Sequence, residues 1–282
     1  MTPDDWRAWI GRTESRVDHA SATPVAALGA TLDRDDPWPC VGDPLPPLWH
    51  WLYFLPLARQ SELGPDGHPR RGGFLPPVPL PRRMWAGGRL QFLQPLHIGE
   101  RIERTSRIVD VTAKAGRSGA LVFVVVRHEI LGERGLAISE EHDIVYRDVS
   151  PSPSATVSAA SVPTDAPWTR TIMPDDVLLF RYSALTFNGH RIHYDRRYVT
   201  DVEGYPGLVV HGPLIATLLV DLVRRHRPQA TITAFEFRAR SPLFDGAPFT
   251  INAREGVDTG RVALWAANAH GDLAMDATAT LA

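Results

Sequence analysis

The chain has 282 residues, of which 44% are hydrophobic and 22% charged, and its formal net charge is -2. These values are typical of globular proteins and exclude a disordered, collagen-like or coiled-coil chain. Because no large excess of positive charge is available to neutralise phosphates, nucleic acid is excluded as the main partner.

Cys40 is the single cysteine, so no disulfide can form within the chain. The first residues, MTPDDWRAWIGR, lack the basic start and apolar core of a signal peptide, and we therefore expect a cytoplasmic protein. Gly, His or charged residues interrupt every apolar run before the roughly 18 residues that would cross a bilayer, so no membrane span is expected.

The first half contains one apolar segment and three strand-like runs. The segment PPLWHWLYFLPLARQ (46–60) predicts a buried central helix, because it is apolar on all sides. The three runs, at 88–111, 120–131 and 135–148, are rich in Val, Ile and aromatic residues and predict antiparallel strands.

A Ser/Pro/Ala/Thr-rich stretch, Ser150–Pro167, is typical of a linker between an N-terminal unit (1–149) and a C-terminal unit (168–282). The second unit repeats the order of the first. A helix-like segment, HGPLIATLLVDLVRR (211–225), precedes strand-like runs at 232–255, 260–270 and 272–281. The matching sequences Pro95–Gly99 and Pro242–Gly246, both P-L-x-x-G, fall at the same point of each half. We therefore predict an α+β double hot-dog: two curved antiparallel sheets, each wrapped around a central helix.

The most informative stretch is Phe180–Asp195 (FRYSALTFNGHRIHYD), followed by Gly207–Pro213 (GLVVHGP). It resembles the MaoC-like hydratases of the hot-dog superfamily, whose motif Asp-x-Asn-Pro-aliphatic-His is followed by a His-Gly that starts the central helix. Placing His193 on the motif histidine puts Asn188 on the motif aspartate and His190 on the motif asparagine. The sequence departs from the pattern here, since an amide cannot accept a proton at neutral pH.

The segments ALTFNGHRIHYD, WHWLYF and GHPRRGGFLPPVPLPRRMWAGG resemble the subgroup that contains mesaconyl-C4-CoA hydratase and mitochondrial-type 3-hydroxyacyl-thioester dehydratase. This resemblance implies a hydro-lyase that needs no cofactor and interconverts a 2-enoyl-CoA and a 3-hydroxyacyl-CoA. Mesaconyl-C4-CoA or a related branched dicarboxylic acyl-CoA is the favoured substrate, with a straight-chain 3-hydroxyacyl thioester second. A homodimer of such chains is compatible with the resemblance.

The resemblance also implies roles for individual residues. His193 would take a proton from water, Asn188 would hold that water, and backbone amides at Gly212 would stabilise the enolate oxygen. Each has a structural alternative: a core histidine, a turn residue and a helix start, respectively. The candidate substrate-binding residues are His190, Arg191, His211 and Arg181, and His190 and the two arginines could equally be structural.

The first half carries Leu32–Pro37 (LDRDDP), which resembles the start of the motif, but Trp38 occupies the position of the histidine. We therefore expect one active site per chain and a first half remodelled to hold the acyl or pantetheine arm. The insertion at 63–83 carries four arginines, Arg70, Arg71, Arg82 and Arg83. They are compatible either with contacts to substrate phosphates or with a basic loop exposed to solvent.

Two other functions remain open at this stage. A thioesterase on this fold would need a carboxylate to activate water, and only Asp195, Asp201 and Glu203 are near in sequence. A non-catalytic acyl-thioester-binding module is compatible with the missing aspartate. The spacing His190-x-x-His193-x-Asp195 lacks the acidic residue that zinc hydrolases place between their histidines, so no metal is expected. The chain has no G-x-G-x-x-G or phosphate-loop lysine motif, which argues against a nucleotide cofactor.

Overall fold

The computed structural model describes residues 3–116, 119–148, 162, 165–256 and 260–282. Most of the predicted linker Ser150–Pro167 lies outside the described residues, so the domain division at this point stays a prediction. The first half comprises α1 (Pro3–Arg7), β1 (Thr13–His19), α2 (Ala22–Thr31), β2 (Arg82–Phe92), β3 (Arg101–Gly116), β4 (Gly119–Gly132) and β5 (Gly135–Arg147). The second half comprises β6 (Trp168–Ile172), α3 (Asp176–Leu185), α4 (Arg196–Asp201), α5 (Gly212–His226), β7 (Ile232–Ala239), β8 (Phe249–Glu255), β9 (Arg261–Ala267) and β10 (Leu273–Leu281).

The strands form one ten-stranded antiparallel sheet in the order β1-β3-β4-β5-β2-β7-β10-β9-β8-β6. The strand order is symmetric about the centre of the sheet, because each half contributes five strands that pair with one another in the same internal order. This confirms the predicted duplication. The two predicted sheets are in fact continuous, since β2 pairs with β7 and places Leu90 opposite Phe235. The pairing gives hydrogen-bond partners to two strands that would otherwise be exposed edges.

The two P-L-x-x-G segments occupy equivalent positions, as predicted. Leu45 donates its amide to the carbonyl of Leu96 at 2.7 Å, and Val210 does the same to Leu243 at 2.8 Å. Gly99 and Gly246 have φ angles of 94° and 82°, a conformation that favours glycine.

Helix α5 is the central helix of the second half, and its start at Gly212 agrees with the prediction. Ten consecutive residues from Leu214 to Val223 are buried. Asp221, buried within this helix, is neutralised by Arg34 at 2.6 Å and Arg225 at 2.7 Å. Arg34 comes from the motif-like segment Leu32–Pro37, so that segment packs against the C-terminal part of α5. Trp38, which follows it, is 68% exposed.

The predicted central helix of the first half is wrong. Residues 46–60 contain only one short 3-10 helix, Trp49–Leu52. Prolines at 46, 47 and 56 interrupt the segment, and Leu48 and Phe54 have φ angles of 70° and 57°, which no α-helix tolerates. Within the described residues of the first half, its sheet therefore encloses no long helix. Among the described residues, no helix combines the length and the hydropathy needed to cross a bilayer.

Candidate active site

A cavity of about 1940 Å³ is lined by residues of both halves. The first half contributes aromatic and polar side chains from the 3-10 helix Trp49–Leu52 and from strands β2 to β5. The second half contributes the loop after α3, the start of α5 and the Pro242–Phe244 turn. Of the residues predicted from the sequence, Asn188, His190, Arg191, His193 and Gly212 line this cavity.

The loop 186–195, termed here the catalytic loop, folds through local hydrogen bonds. Asn188 accepts a hydrogen bond from the backbone amide of His190 through its Oδ1 at 3.0 Å, which forms a tight turn. A single 3-10 turn, Arg191–His193, follows. Asn188 therefore has the turn function that was its structural alternative, while also lining the cavity; its water-binding role stays a prediction.

His193 is held in one tautomer. Its Nδ1 donates to the carbonyl oxygen of Val209 at 2.7 Å, and the amide of Val209 donates back to the carbonyl of Ile192 at 2.9 Å. With Nδ1 protonated, Nε2 carries the lone pair, and it has no hydrogen-bond partner among the described residues. Burial of the ring lowers the pKa of His193 to about 4, so the imidazole is neutral at pH 7 and able to accept a proton.

The ring of His211 packs against the ring of His193. The two rings stack with centroids 3.7 Å apart, and His211 Nε2 lies 2.8 Å from the hydroxyl of Ser183. Burial lowers the pKa of His211 well below its ordinary value. Two stacked neutral imidazoles avoid the repulsion that two imidazolium rings would suffer, and the stack fixes the plane of the His193 ring.

Gly212 begins α5, directly after His211. A Cβ added at Gly212 would meet no atom within 4 Å, so the backbone here is open toward the cavity. The amides of the first helical turn have no partners within the helix, and the helix dipole makes this end positive. These features support the predicted placement of an enolate oxygen at this point.

The arginines predicted to bind substrate have other contacts. Arg191 pairs with Asp195 at 2.7 Å and donates to the carbonyl of Pro65 at 3.0 Å. Arg181 is exposed on α3 and is not among the residues that line the cavity. Their substrate contacts stay predictions. Phosphate contacts of Arg70, Arg71, Arg82 and Arg83 also stay predictions; these four arginines line a smaller pocket, and two of them, Arg82 and Arg83, line the cavity as well.

Two residues that lie against the catalytic loop were not predicted from the sequence. Asp66 and His68, from the first-half insertion, lie against the catalytic loop, with the His68 ring 4.0 Å from the ring of His190. The sequence analysis considered only the arginines of that insertion. The glycine-bounded segment Gly64–Gly67 was the available signal, because it predicts a tight turn.

A second polar cluster lies in the first half. Glu140 is buried and accepts hydrogen bonds from His50 at 2.9 Å, from Trp51 at 2.9 Å and from His142. Next to His142, His128 contacts the hydroxyl of Ser106 at 2.8 Å. Trp51, His50, Glu140, His128 and His142 all line the cavity. The first half therefore lacks the motif histidine but presents a different, buried acid–base cluster.

Among the described residues, the side chains that approach a metal-ligand arrangement are Asp66, His68 and His190, whose ligand atoms lie within 4.8 Å of one another. The rings of His68 and His190 lie with their centroids 4.0 Å apart and their planes at 37°. Asp195, which the sequence placed in a ligand-like spacing, instead caps α4 by accepting from the amide of Tyr198 at 3.0 Å.

Within the described residues, the duplicated sheet and the central helix α5 define a double hot-dog protein. Two solved structures share this fold: a MaoC-like dehydratase (TM-score 0.71, 14% identity, 98% of this chain and 99% of that chain) and a double-hotdog protein of Mycobacterium tuberculosis (TM-score 0.60, 15% identity, 100% and 98%).

The family model for hydroxyacyl-thioester dehydratase type 2 matches residues 48–245. The chain is 50% identical to the mesaconyl-C(4)-CoA hydratase of Chloroflexus aurantiacus over 281 residues, which covers 100% of this chain and 99% of that protein. It is 32% identical to the mitochondrial hydroxyacyl-thioester dehydratase type 2 of Schizosaccharomyces pombe over 266 residues, covering 83% of this chain and 87% of that protein. The chain belongs to the hydroxyacyl-thioester dehydratase type 2 family and is a MaoC-like hydro-lyase.

Proposed function

We propose that this protein catalyses the reversible hydration of a branched dicarboxylic 2-enoyl-CoA, with mesaconyl-C4-CoA as the substrate, using His193 as the base. The observation that carries the proposal is the hydrogen bond from His193 Nδ1 to the Val209 carbonyl, which leaves Nε2 as a proton acceptor at the cavity wall. The 50% identity to a mesaconyl-C(4)-CoA hydratase supports the choice of substrate.

The reaction proceeds in two proton transfers. Water, held between Asn188 and His193 Nε2, gives a proton to His193 while its oxygen bonds to the β-carbon of the enoyl group. The electrons of the double bond move to the thioester oxygen, which receives hydrogen bonds at the start of α5 beside Gly212. The α-carbon then takes the proton from His193, and the neutral imidazole is restored.

The free carboxylate of a mesaconyl group requires a positive partner in the cavity. Arg104 on β3 lines the cavity, and its buried Nε has no hydrogen-bond partner among the described residues. Its guanidinium lies 5.0 Å from the centroid of the Phe54 ring. Burial, followed by repulsion from Arg16, lowers the pKa of Arg104, so an anion bound there would be stabilising. We assign the acyl carboxylate to Arg104.

The absence of a long helix in the first half supports this placement of the acyl arm. The space beside Trp49–Leu52 is lined by aromatic and polar side chains, and it is continuous with the site at His193. An acyl-CoA substrate and the free, exposed thiol of Cys40 both fit a reducing compartment, so we propose a cytoplasmic enzyme. A homodimer is the proposed assembly, to be checked by light scattering.

The test is an absorbance assay at the enoyl-thioester band with a panel of 2-enoyl-CoAs, run in parallel with a free-thiol assay. We expect loss of the enoyl signal without thiol release, fastest with mesaconyl-C4-CoA. Thiol release would identify a thioesterase instead. Binding without any change in the enoyl signal would identify a non-catalytic acyl-thioester-binding protein.

A further inference from the structure

In the proposed hydration reaction, on which this inference rests, His193 becomes an imidazolium in a site where the residue is only 8% exposed. A buried cation without a negative partner is costly. Position 188 provides no carboxylate, because it is an asparagine, and Asp195 is already engaged by Arg191 and by the amide of Tyr198. Any negative charge that the chain itself adds beside His193 must therefore come from another part of it.

The segment 64–70 of the first half, termed here the inserted loop, reaches the catalytic loop of the second half. The amide of Arg191 donates to the carbonyl of Asp66 at 2.9 Å, and the Arg191 guanidinium donates to the carbonyl of Pro65. A Cβ added at Gly67 would lie 1.9 Å from the carbonyl oxygen of Gly189. The two loops therefore touch backbone to backbone, which fixes the position of the side chains that follow.

Asp66 and His68 form a dyad that faces the histidines of the catalytic loop. His68 Nδ1 donates to Asp66 Oδ2 at 3.1 Å, and the His68 amide donates to Oδ1 of the same carboxylate at 3.1 Å. The His68 ring lies 4.0 Å from the ring of His190, which in turn lies 5.5 Å from the ring of His193. One carboxylate thus ends a contiguous line of three imidazoles.

The groups around these three imidazoles either favour or oppose a positive charge on them. Burial opposes the ionisation of Asp66, but hydrogen bonding and attraction from His68, together with attraction from His190, hold the pKa of that carboxyl well below its usual range. Burial and then repulsion from His68 and His193 lower the pKa of His190, and Asp66 opposes that shift. Arg71 and Arg83 are the other charged groups that act on His68, and both disfavour its protonation. Asp66 is therefore the negative charge that favours a cation in this cluster.

We propose that Asp66, acting through His68, replaces the carboxylate missing at position 188 by stabilising the imidazolium formed when His193 takes a proton from water. Water transfers one proton to His193 Nε2 as the carbon–oxygen bond forms, and the α-carbon later takes the proton back. Between these two events the His193–His190 pair bears one positive charge, and the field of Asp66 lowers the energy of that state. Asp66 and His68 are thus positioning residues.

The test compares Asp66→Asn, Asp66→Glu and His68→Asn with two control variants, Asp35→Asn and His270→Asn. Asp35 and His270 are exposed. Asparagine at 66 can still accept the His68 amide through its side-chain oxygen, so the turn is kept while the charge is removed. The substrate is the enoyl-CoA that wild type hydrates fastest. The measured quantities are kcat, KM and the titration midpoints of the histidines. The titrations are monitored by 15N NMR of histidine-labelled protein.

We expect Asp66→Asn and His68→Asn to lower kcat by about 10- to 100-fold with KM changed less than about 3-fold. In Asp66→Asn the titration midpoint of His68 should move to lower pH, because a negative charge that raises it has been removed. Asp66→Glu should restore part of both effects, and the two controls should match wild type.

Three results would overturn the proposal: an unchanged kcat in Asp66→Asn, a lower kcat with unmoved histidine titrations, or loss of wild-type activity on treatment with EDTA. The second would reveal a purely structural loop contact, and the third a metal site at Asp66, His68 and His190. If wild type hydrates no enoyl-CoA at all, the proposed function itself fails, which is a separate outcome.

Discussion

The Nδ1 atom of His193 lies 2.7 Å from the carbonyl oxygen of Val209, a residue of the segment that leads into the central helix α5. The contact joins the catalytic loop to the segment before that helix, so it links His193, the proposed base, to the proposed oxyanion position at Gly212. Because a carbonyl can only accept, the contact also selects the tautomer in which Nε2 carries the lone pair.

Gly67→Ala should separate the inserted loop from the catalytic loop. Gly67 has a φ angle of 86°, and a Cβ there would lie 1.9 Å from the carbonyl oxygen of Gly189. We expect a loss of about 1–3 kcal/mol in the free energy of unfolding, because strain and a steric clash combine, and a clear fall in kcat. Gly73→Ala is the matched control, since its Cβ would meet nothing within 4 Å. Urea unfolding and enoyl hydration measure both effects; equal behaviour of the two variants would contradict the loop contact.

Glu140→Gln should lower the free energy of unfolding by about 3 kcal/mol. The glutamine amide has one acceptor oxygen where the carboxylate has two, and the donors of His50, Trp51 and His142 all point at it. Attraction from His142 and His50 outweighs burial and lowers the pKa of Glu140 well below 4.5. The stabilisation is therefore present above about pH 4.5 and is lost as the pH falls through the lower pKa of the folded state.

Urea unfolding of wild type and Glu140→Gln at a series of pH values measures this contribution. The difference in unfolding free energy should be largest near neutrality and should shrink on acidification. Glu133→Gln, which changes an exposed carboxylate, is the control. A difference that does not depend on pH would show that Glu140 is not ionised in the folded protein.

Arg104→Met should change substrate preference rather than abolish activity. Removal of the guanidinium takes away the proposed partner of the acyl carboxylate, so kcat/KM for mesaconyl-C4-CoA should fall by about 10- to 100-fold. A loss of this size is expected when one charge-assisted hydrogen bond is removed. Activity with 2-butenoyl-CoA, which has no second carboxylate, should change less than about 3-fold. An equal loss with both thioesters would place the carboxylate elsewhere.

The duplicated fold could be predicted because it rests on local patterns. Strand alternation and the paired segments at Pro95 and Pro242 recur in each half, and turns of this kind are determined by neighbouring residues. The first-half helix was predicted wrongly because the apolar composition of 46–60 outweighed its prolines. In the structure, Pro46, Pro47 and Pro56 prevent a helix, and the aromatic side chains pack without one.

The site was predictable only in part. His193 and Gly212 lie in two segments of the second half that resemble a family motif, whereas the contact of His68 with His190 joins residues from different halves of the chain. Glu140 and His142 were missed for another reason. They lie in the polar run SEEHD of β5, where a sequence pattern suggests solvent exposure, yet the missing helix leaves this face of the sheet toward a cavity.

The most direct test of the account is the hydration rate of His193→Ala beside that of His270→Ala, an exposed control. We expect kcat to fall by about 100- to 10,000-fold in His193→Ala, measured at a temperature at which the variant is folded, and to stay unchanged in the control. Wild-type kcat/KM should hold from neutrality down to acidic pH, because the pKa of His193 is lowered to about 4. Hydration by His193→Ala at the wild-type rate would contradict the assignment of His193 as the base.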